Sequence, residues 1–574
     1  MARHLITSAL PYINGVKHLG NLVGSMLPAD VYARFMRARG HEVLAICATD
    51  EHGTPAELAA MEAGQSVREY CDEQHLIQKD LGERFGLSWD HFGRTSRQQN
   101  HDMTNHFADK LAENGYLEER TIEQIYSPSE ERFLPDRYVT GTCPHCDYDR
   151  ARGDQCENCG RLLEPTQLIN PRSTVTGATD LEVRQSTSVF LLQSALADEV
   201  RAWIEANDHW PTLPRSIALK WLDEGLHDRD ITRNLSWGIP VNRPGLENKV
   251  WYVWFDAPIG YIGATREWAD VPKEEWADGE TERDWRSWWY DSPDVTYTEF
   301  MGKDNVAFHA VSFPITQIGS REPWHKVDLL KAFNWLTYYG GKFSTSQGLG
   351  VFMDDALELL PADYWRWYLI ANAPESDDTA FTWPLFQQAI NGDLVGKLGN
   401  FVNRTLSLTR KQFGEQVPTG GTPGAMEAEL AAGVTAKAEE IAAHFERTEF
   451  RKATRAIREL WSLGDAYLEA REPWRLVKAD TEPGGTQSGR DAAAMVLRTA
   501  INLIPVMAEV AAPVIPTAAA TALAAVGQQP SGWPTVDLTA LPEGHPFEVP
   551  PLLFRRIEDD EIEAWTARFG GSGG

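Results

Sequence analysis

Apolar and polar positions recur along this chain with different periods, and the periods place the elements. His4–Ala9 forms a short apolar-rich run that stops before Pro11, as a buried strand does. Leu19, Leu22, Val23, Met26, Val31 and Phe35 follow at helical spacing until Gly40 ends them. Glu42–Thr49 is a second apolar run, and it ends in Asp50-Glu51-His52. Strand, helix, strand in that order is a βαβ unit, so a parallel sheet is expected. Helices are expected over 55–63 and 67–85, the second opened by a Ser66-x-x-Glu69 capping box.

The pattern changes over residues 120–235, which are rich in turns, start with β-type sequence and hold four of the six cysteines. This segment reads as an insertion into the sheet domain. The parallel-sheet pattern returns at Val250–Phe255 and Thr296–Met301, each followed by a helical stretch. Gly340 to Gly348 is a glycine-flanked loop. From 391 to 530 the pattern is long amphipathic helices, interrupted by the Gly/Pro/Thr-rich segment Pro418–Pro423. Pro542–Pro551 reads as extended, Leu552–Phe569 as one last amphipathic helix, and Gly570–Gly574 as a flexible end. The expected fold class is α/β, followed by a helical bundle.

Composition narrows the picture. A chain of 574 residues is too long for one core, so three or four domains are expected. A net charge of −29 excludes a nonspecific nucleic-acid coat protein, which needs clustered Lys and Arg, but leaves room for a local basic face. Six cysteines, four of them within 143–159, exclude a disulfide scaffold. Met1-Ala2-Arg3-His4 carries no secretion pattern, and the Ala-rich stretch Val510–Gly527, broken by Pro513 and Pro516, reads as a buried helix hairpin rather than a membrane span. A cytoplasmic protein without membrane association is expected.

The strongest chemical signal stands without any family. Cys143-Pro-His-Cys146, nine residues, then Cys156-Glu-Asn-Cys159 can set four thiolates tetrahedrally around zinc. Four thiolates leave no open position, so the zinc is expected to be structural, with His145 a possible competitor inside the knuckle. A second signal lies where strand one turns into helix one: Ala9-Leu10-Pro11-Tyr12-Ile13-Asn14-Gly15, then His18-Leu19-Gly20-Asn21. A helix N-terminus with a neighbouring His attracts phosphate, yet His18 is equally suited to cap the helix, and both readings stand. Asp50 ends a buried strand at the carboxyl edge of a parallel sheet, where ligands bind.

His18-Leu19-Gly20-Asn21 resembles the HIGH signature of class I aminoacyl-tRNA synthetases, and Lys342-Phe343-Ser344-Thr345-Ser346 resembles their KMSKS loop. Ala9-Leu10-Pro11-Tyr12, Asp50-Glu51-His52-Gly53-Thr54, Phe133-Leu134-Pro135-Asp136-Arg137, Trp254-Phe255-Asp256-Ala257-Pro258-Ile259-Gly260-Tyr261 and Gly302-Lys303-Asp304 narrow the resemblance to the methionyl-tRNA synthetase family, over nearly the whole chain. Two positions depart from the family: Asn21 replaces the second His of HIGH, and Thr345 the second Lys of KMSKS.

The resemblance implies a Rossmann-like catalytic domain in two halves, 1–119 and 236–330, split by a zinc-bearing connective insertion over 120–235. It implies a linker domain over 331–390, a helical anticodon-binding domain over 391–540, and a C-terminal segment over 541–574. Implied for catalysis are His18, Asn21, Lys303, Lys342 and Arg233. Leu10, Tyr12, Asp50, Trp254, Ala257, Pro258, Tyr261 and His309 would line a methionine pocket, Asp50 pairing with the substrate ammonium. His18, Gly20, Asn21, Gly302, Asp304, Lys342, Ser344, Thr345 and Ser346 would hold ATP with Mg²⁺.

Asn400, Arg404 and Trp474 would read the CAU anticodon of tRNA(Met), although Trp474 also suits a bundle core. Arg447, Arg451, Arg455 and Arg458 recur at helical spacing, either as a basic stripe for RNA or as a salt-bridged face. Asn305 stands where relatives carry an aliphatic residue.

The implied reaction joins methionine to AMP and then to tRNA, initiator tRNA included, in a monomer. Two rivals remain at this point. A sister synthetase for another apolar amino acid is opposed by the short insertion. A catalytically silent paralogue is favoured by Asn21 and Thr345 and opposed by Asp50, Lys303, Asp304 and Lys342.

Overall fold

The computed structural model describes residues 2–276, 282–343, 349–479 and 488–570. Its strands used below are β1 (Arg3–Ser8), β2 (Glu42–Thr49), β3 (His91–Arg94), β4 (Leu117–Ser127), β5 (Glu182–Leu191), β6 (Val295–Gly302) and β7 (Leu329–Phe333). Five of them form one parallel sheet in the order β7-β6-β1-β2-β3. Alternation along each strand feeds two different cores. Ile6, Ala45, Phe300 and Phe333 face one, while Leu5, Leu44, Ile46, Met301, Leu330 and Ala332 face the other. A parallel sheet covered on both faces needs apolar residues on both, which is why these runs read as continuously hydrophobic.

The connections leave β1 in one direction and β6 in the other, so the strand order reverses between them. That reversal opens a crevice at the carboxyl ends of β1 and β6. The loops that follow β1, β2 and β6 all start at this edge.

Several sequence expectations hold. The capping box at Ser66 forms in both directions: Ser66 Oγ accepts from the Glu69 backbone and Glu69 Oε2 from the Ser66 backbone. The helix expected after β1 runs over 19–38, with a π turn at Leu22–Met26 between α-helical parts.

Two expectations are corrected. Val250–Phe255 is not a strand of the parallel sheet. Val250–Trp251 pairs antiparallel with Thr232–Arg233, and the chain then enters the helix Val253–Asp270. Phe255, Ile259 and Ile262 of that helix pack into the same core as Leu5 and Leu44. A short apolar run satisfies a buried helix as well as a buried strand. The last helix is also shorter than expected, Asp559–Phe569. Before it, Asn391 binds the Ile557 backbone on both sides, donating to its carbonyl at 2.8 Å and accepting from its N–H at 2.9 Å. Those bonds hold the segment extended.

Between β3 and β6 lies the cysteine-bearing segment. β4 and β5 pair antiparallel along their lengths, Leu117 opposite Leu191 and Tyr126 opposite Glu182. The knuckle sits between them in sequence. It docks on the helix Thr54–Ala63 through Tyr138, whose hydroxyl donates to Glu57 Oε2 at 2.5 Å.

Beyond residue 390 the long helices are Asn400–Phe413, Ala425–Glu446, Phe450–Arg471 and Gly489–Ala511. Gly489–Ala511 is long and apolar enough to cross a membrane, but it is largely buried among its neighbours. One continuous core joins the sheet to this bundle, from Ile6 and Leu27 through Trp367 to Trp461 and Leu503.

Candidate active site

The crevice holds a cavity of about 290 Å³ and, adjoining it, one of about 50 Å³. Ala9, Leu10, Tyr12 and Asn305 line both.

The larger cavity is walled on one side by the turn into the 19–38 helical run. His18 Nδ1 accepts from the Asn21 backbone N–H at 3.2 Å, and Asn21 Oδ1 accepts from the His18 backbone N–H at 3.2 Å. His18 therefore caps the helix. Capping fixes its chemistry too, because a neutral imidazole that accepts at Nδ1 carries its proton at Nε2. Burial, then Lys17, pulls the His18 pKa down to about 4, so the ring is a neutral donor at physiological pH. It stacks on Phe343, centroids 4.9 Å apart. A Cβ at Gly20 would stand 3.0 Å from His18 Nδ1 and 3.5 Å from the Phe343 ring, so glycine leaves room for that stack.

The opposite wall comes from the loop after β6. Gly302 and Asp304 line the cavity. A Cβ at Gly302 would lie 2.6 Å from Asp304 Oδ1, so glycine lets that carboxylate fold back. Lys342 also lines the cavity, with its ammonium 4.5 Å from the Trp335 ring. Lys303 does not. Its ammonium donates to Asp378 at 2.7 Å and to Asn334 at 3.3 Å. Ser344, Thr345 and Ser346 lie outside the described residues.

The smaller cavity brings together all eight residues expected around methionine: Leu10, Tyr12, Asp50, Trp254, Ala257, Pro258, Tyr261 and His309. Phe308 completes the wall and was not expected; its ring lies 4.5 Å from Trp254. Burial brings the His309 pKa down to about 4, leaving a neutral ring. Its Nδ1–H donates to the Asn305 carbonyl at 2.9 Å, and its Nε2 accepts from the Tyr261 hydroxyl at 3.0 Å.

The acidic run after β2 is decisive. Glu51 is fully buried and accepts from Arg94 Nε at 2.7 Å and from Thr49 Oγ1 at 2.8 Å. His52 is paired with the buried Asp256 at 2.7 Å. Asp50 is 5% exposed, and its Oδ1 has no partner among the described residues. Burial, then Asp256, raises the Asp50 pKa well above the carboxylate range. A buried carboxylate oxygen without a partner is costly. Here it stands on the wall of an apolar pocket beside a polar cavity, as a cation's counter-charge would.

Arg233 lines neither of these cavities. Its guanidinium binds Asp136 at 3.0 Å and Asp230 at 3.4 Å and lies over the Tyr252 ring. These ion pairs tie the turn at Asp136 to the strand segment at 229–233.

The four knuckle thiols lie within 4.8 Å of one another, with Cys143 and Cys159 3.9 Å apart and Cys146 and Cys156 3.7 Å apart. A tetrahedron with Zn–S bonds of about 2.3 Å has edges of about 3.8 Å, so the thiols fit such an ion. His145 is turned to Arg161, 3.2 Å away, and is not in the cluster.

Comparison with known proteins agrees with this geometry. The family model of class I tRNA synthetases (M) matches residues 4–406, and that of the anticodon binding domain of methionyl tRNA ligase matches 417–574. Methionine–tRNA ligase of Streptomyces avermitilis is 58% identical and that of Caulobacter vibrioides 56%, each over 100% of both chains. The chain belongs to the methionine–tRNA ligase family. Mycobacterium tuberculosis methionyl-tRNA synthetase in complex with methionyl-adenylate superposes with a TM-score of 0.77 at 25% identity, covering 97% of this chain and 100% of the other.

In this methionine–tRNA ligase family member the helical region carries its own candidate patch. Arg404 lies over the Trp474 ring at 4.2 Å and pairs with Glu469 at 2.6 Å. Trp474 is half-buried and follows Glu472, whose φ of 42° turns the chain out of the helix Phe450–Arg471. Asn400 is exposed one turn before Arg404. The arginine series resolves mostly into ion pairs: Arg447 with Glu449, Arg455 with Glu459 and Arg458 with Asp393.

Proposed function

We propose that this chain activates L-methionine with ATP to methionyl-adenylate and transfers it to the terminal ribose of tRNA(Met), including initiator tRNA. The single observation behind this reading is the buried Oδ1 of Asp50, without a partner among the described residues and set between an apolar pocket and a larger polar cavity. An α-amino acid with an apolar side chain satisfies all three at once. Its ammonium meets Asp50, its thioether lies against Trp254, Phe308 and Tyr261, and its carboxylate points at the α-phosphate of ATP.

His18 Nε2–H, Asn21 and Lys342 then face the triphosphate, and Asp304 the ribose. No side chain acts as nucleophile. The substrate carboxylate attacks phosphorus, pyrophosphate leaves with Mg²⁺, and a ribose hydroxyl of tRNA attacks the aminoacyl carbonyl. Positioning and charge stabilisation carry both steps. Lys303 is tied to Asp378 and reaches phosphate only by giving up that pair.

Cys143, Cys146, Cys156 and Cys159 hold one zinc ion, which cross-links the insertion and takes no part in the reaction. Arg404 and Trp474, with Asn400, offer a stacking face and hydrogen bonds to an unpaired CAU anticodon. The chain acts as a cytoplasmic monomer. Amino-acid-dependent ATP–pyrophosphate exchange tests the reading. Methionine alone should support it among the amino acids; exchange with another amino acid or with none would overturn it.

A further inference from the structure

Lys17 precedes His18 and is 5% exposed. Among the described residues its ammonium makes one hydrogen bond, a long one of 3.3 Å to Asn14 Oδ1. Among the described residues no carboxylate lies within 4.0 Å of it. Buried lysines are ordinarily paired with an acid, because an ammonium removed from water loses its hydration without compensation. The buried Lys331 keeps the rule, 2.8 Å from Glu375, whereas the buried Lys249 is held by Asn234 Oδ1 at 2.7 Å and Ser188 Oγ at 3.3 Å. Lys17 has only the long bond to Asn14, and it borders both the 290 Å³ cavity, with His18, Asn21 and Lys342, and a smaller one lined by Gln78, Trp89 and Met353.

We propose that Lys17 is a catalytic residue that binds the non-bridging oxygens of the α-phosphoryl group while the amino acid's carboxylate attacks it. The assignment rests on the function proposed above. Position selects the α-phosphate over the far end of the triphosphate. Lys17 directly precedes His18 in the chain, and its charge and that of Asp50 interact. Asp50 marks the amino-acid end of the site, and the carboxylate, the attacked phosphorus and His18 follow in order.

In the step itself a carboxylate oxygen forms a bond to phosphorus, the bond from phosphorus to the bridging oxygen breaks, and pyrophosphate leaves with that electron pair. Lys17 donates hydrogen bonds throughout and keeps its proton. Burial lowers the Lys17 pKa to about 7, and an adjacent phosphate draws it back up.

Lys17→Met keeps length and apolar volume while removing the charge. In ATP–pyrophosphate exchange kcat should fall roughly 10- to 100-fold, the range for loss of one preorganised charged donor, with the KM for methionine unchanged. Calorimetric titration supplies a readout that a merely structural role would not move. Methioninyl adenylate, a stable phosphate-bearing mimic of the intermediate, should bind at least about tenfold more weakly to Lys17→Met, while methioninol and adenosine bind as to the parent. Unchanged exchange and adenylate affinity would overturn the assignment, and so would equal loss for all three ligands. If the parent protein shows no methionine-dependent exchange, the proposed function falls first, which separates the two failures.

Discussion

Asp50 carries a stability cost as well as the function proposed for it. Its carboxyl is held above the ordinary value by burial, and the neighbouring Asp256 adds to that. A folded-state pKa above the unfolded value of about 3.9 means that stability falls as pH rises through that interval, because folding then confines an ionised acid. Asp50→Asn should therefore raise the Tm of the unliganded protein at neutral pH. The same change removes the counter-charge for the ammonium, so kcat/KM for methionine should drop at least about tenfold. In the parent, methionine KM should rise on acidification through the raised Asp50 value, and the variant should lack that limb. A melting scan with steady-state exchange checks both, and a variant that is less stable and fully active would contradict the role. The same scale ranks two lysines. Lys342 faces the cavity while Lys303 is paired with Asp378, so Lys342→Ala should lower exchange kcat more than Lys303→Ala does, by roughly a further tenfold step of about 1.4 kcal/mol.

At the scale of elements, the knuckle and the Trp474 turn are separable devices. The knuckle's own core is small, Leu134, Val139, Ala151, Leu163 and Leu168 among the cysteines, so the proposed zinc ion would supply much of its order. Cys156→Ser should abolish bound zinc by elemental analysis and expose the segment between β4 and β5 to limited proteolysis. A metal-free variant with parental protease resistance would show that the ion is dispensable. Trp474 is half-buried beside the bundle, with Arg404 over its ring. Trp474→Ala should weaken aminoacylation of CAU-bearing tRNA by about 1–3 kcal/mol in kcat/KM and spare pyrophosphate exchange. Equal loss in both assays would make Trp474 structural.

At the scale of the molecule, Arg366 joins parts that are far apart in sequence. It is fully buried, pairs with Asp30 at 2.7 Å, and donates to the carbonyls of Phe85, Pro513 and Val514. Asp30 sits in the helical run after β1, Arg366 in the helix Ala362–Ala371, and Val514 after the helix Gly489–Ala511. Among the described residues, Arg366→Met would leave Asp30 with Arg34 alone as its cation, 3.0 Å away, and strip the three carbonyls of their donor. Removing one partner of a buried pair costs about 3–5 kcal/mol, so chemical denaturation should show a loss of that order. A loss below about 1 kcal/mol would mean that water satisfies the site.

Local order alone determined much of this protein. The periods of Arg3–Ser8 and Glu42–Thr49, the Ser66 capping box and the doubled Cys-x-x-Cys spacing depend on neighbours a few residues away, and the structure keeps them. The family motifs around His18 and Lys342 are equally local, and so is the placing of Asp50 at a strand's carboxyl end. What tertiary structure decided was partnership. Only the fold shows that Glu51 and His52 are already satisfied and Asp50 is not, that Lys303 is engaged by Asp378, and that Arg233 belongs to Asp136. Val250–Phe255 left the parallel sheet, its first two residues pairing antiparallel elsewhere and Val253 onward forming a helix, because an apolar run reports burial and not period. Lys17 passed unnoticed because sequence does not reveal which lysine loses its water. Burial and pairing are properties of segments brought together from hundreds of residues apart, and no local pattern encodes them.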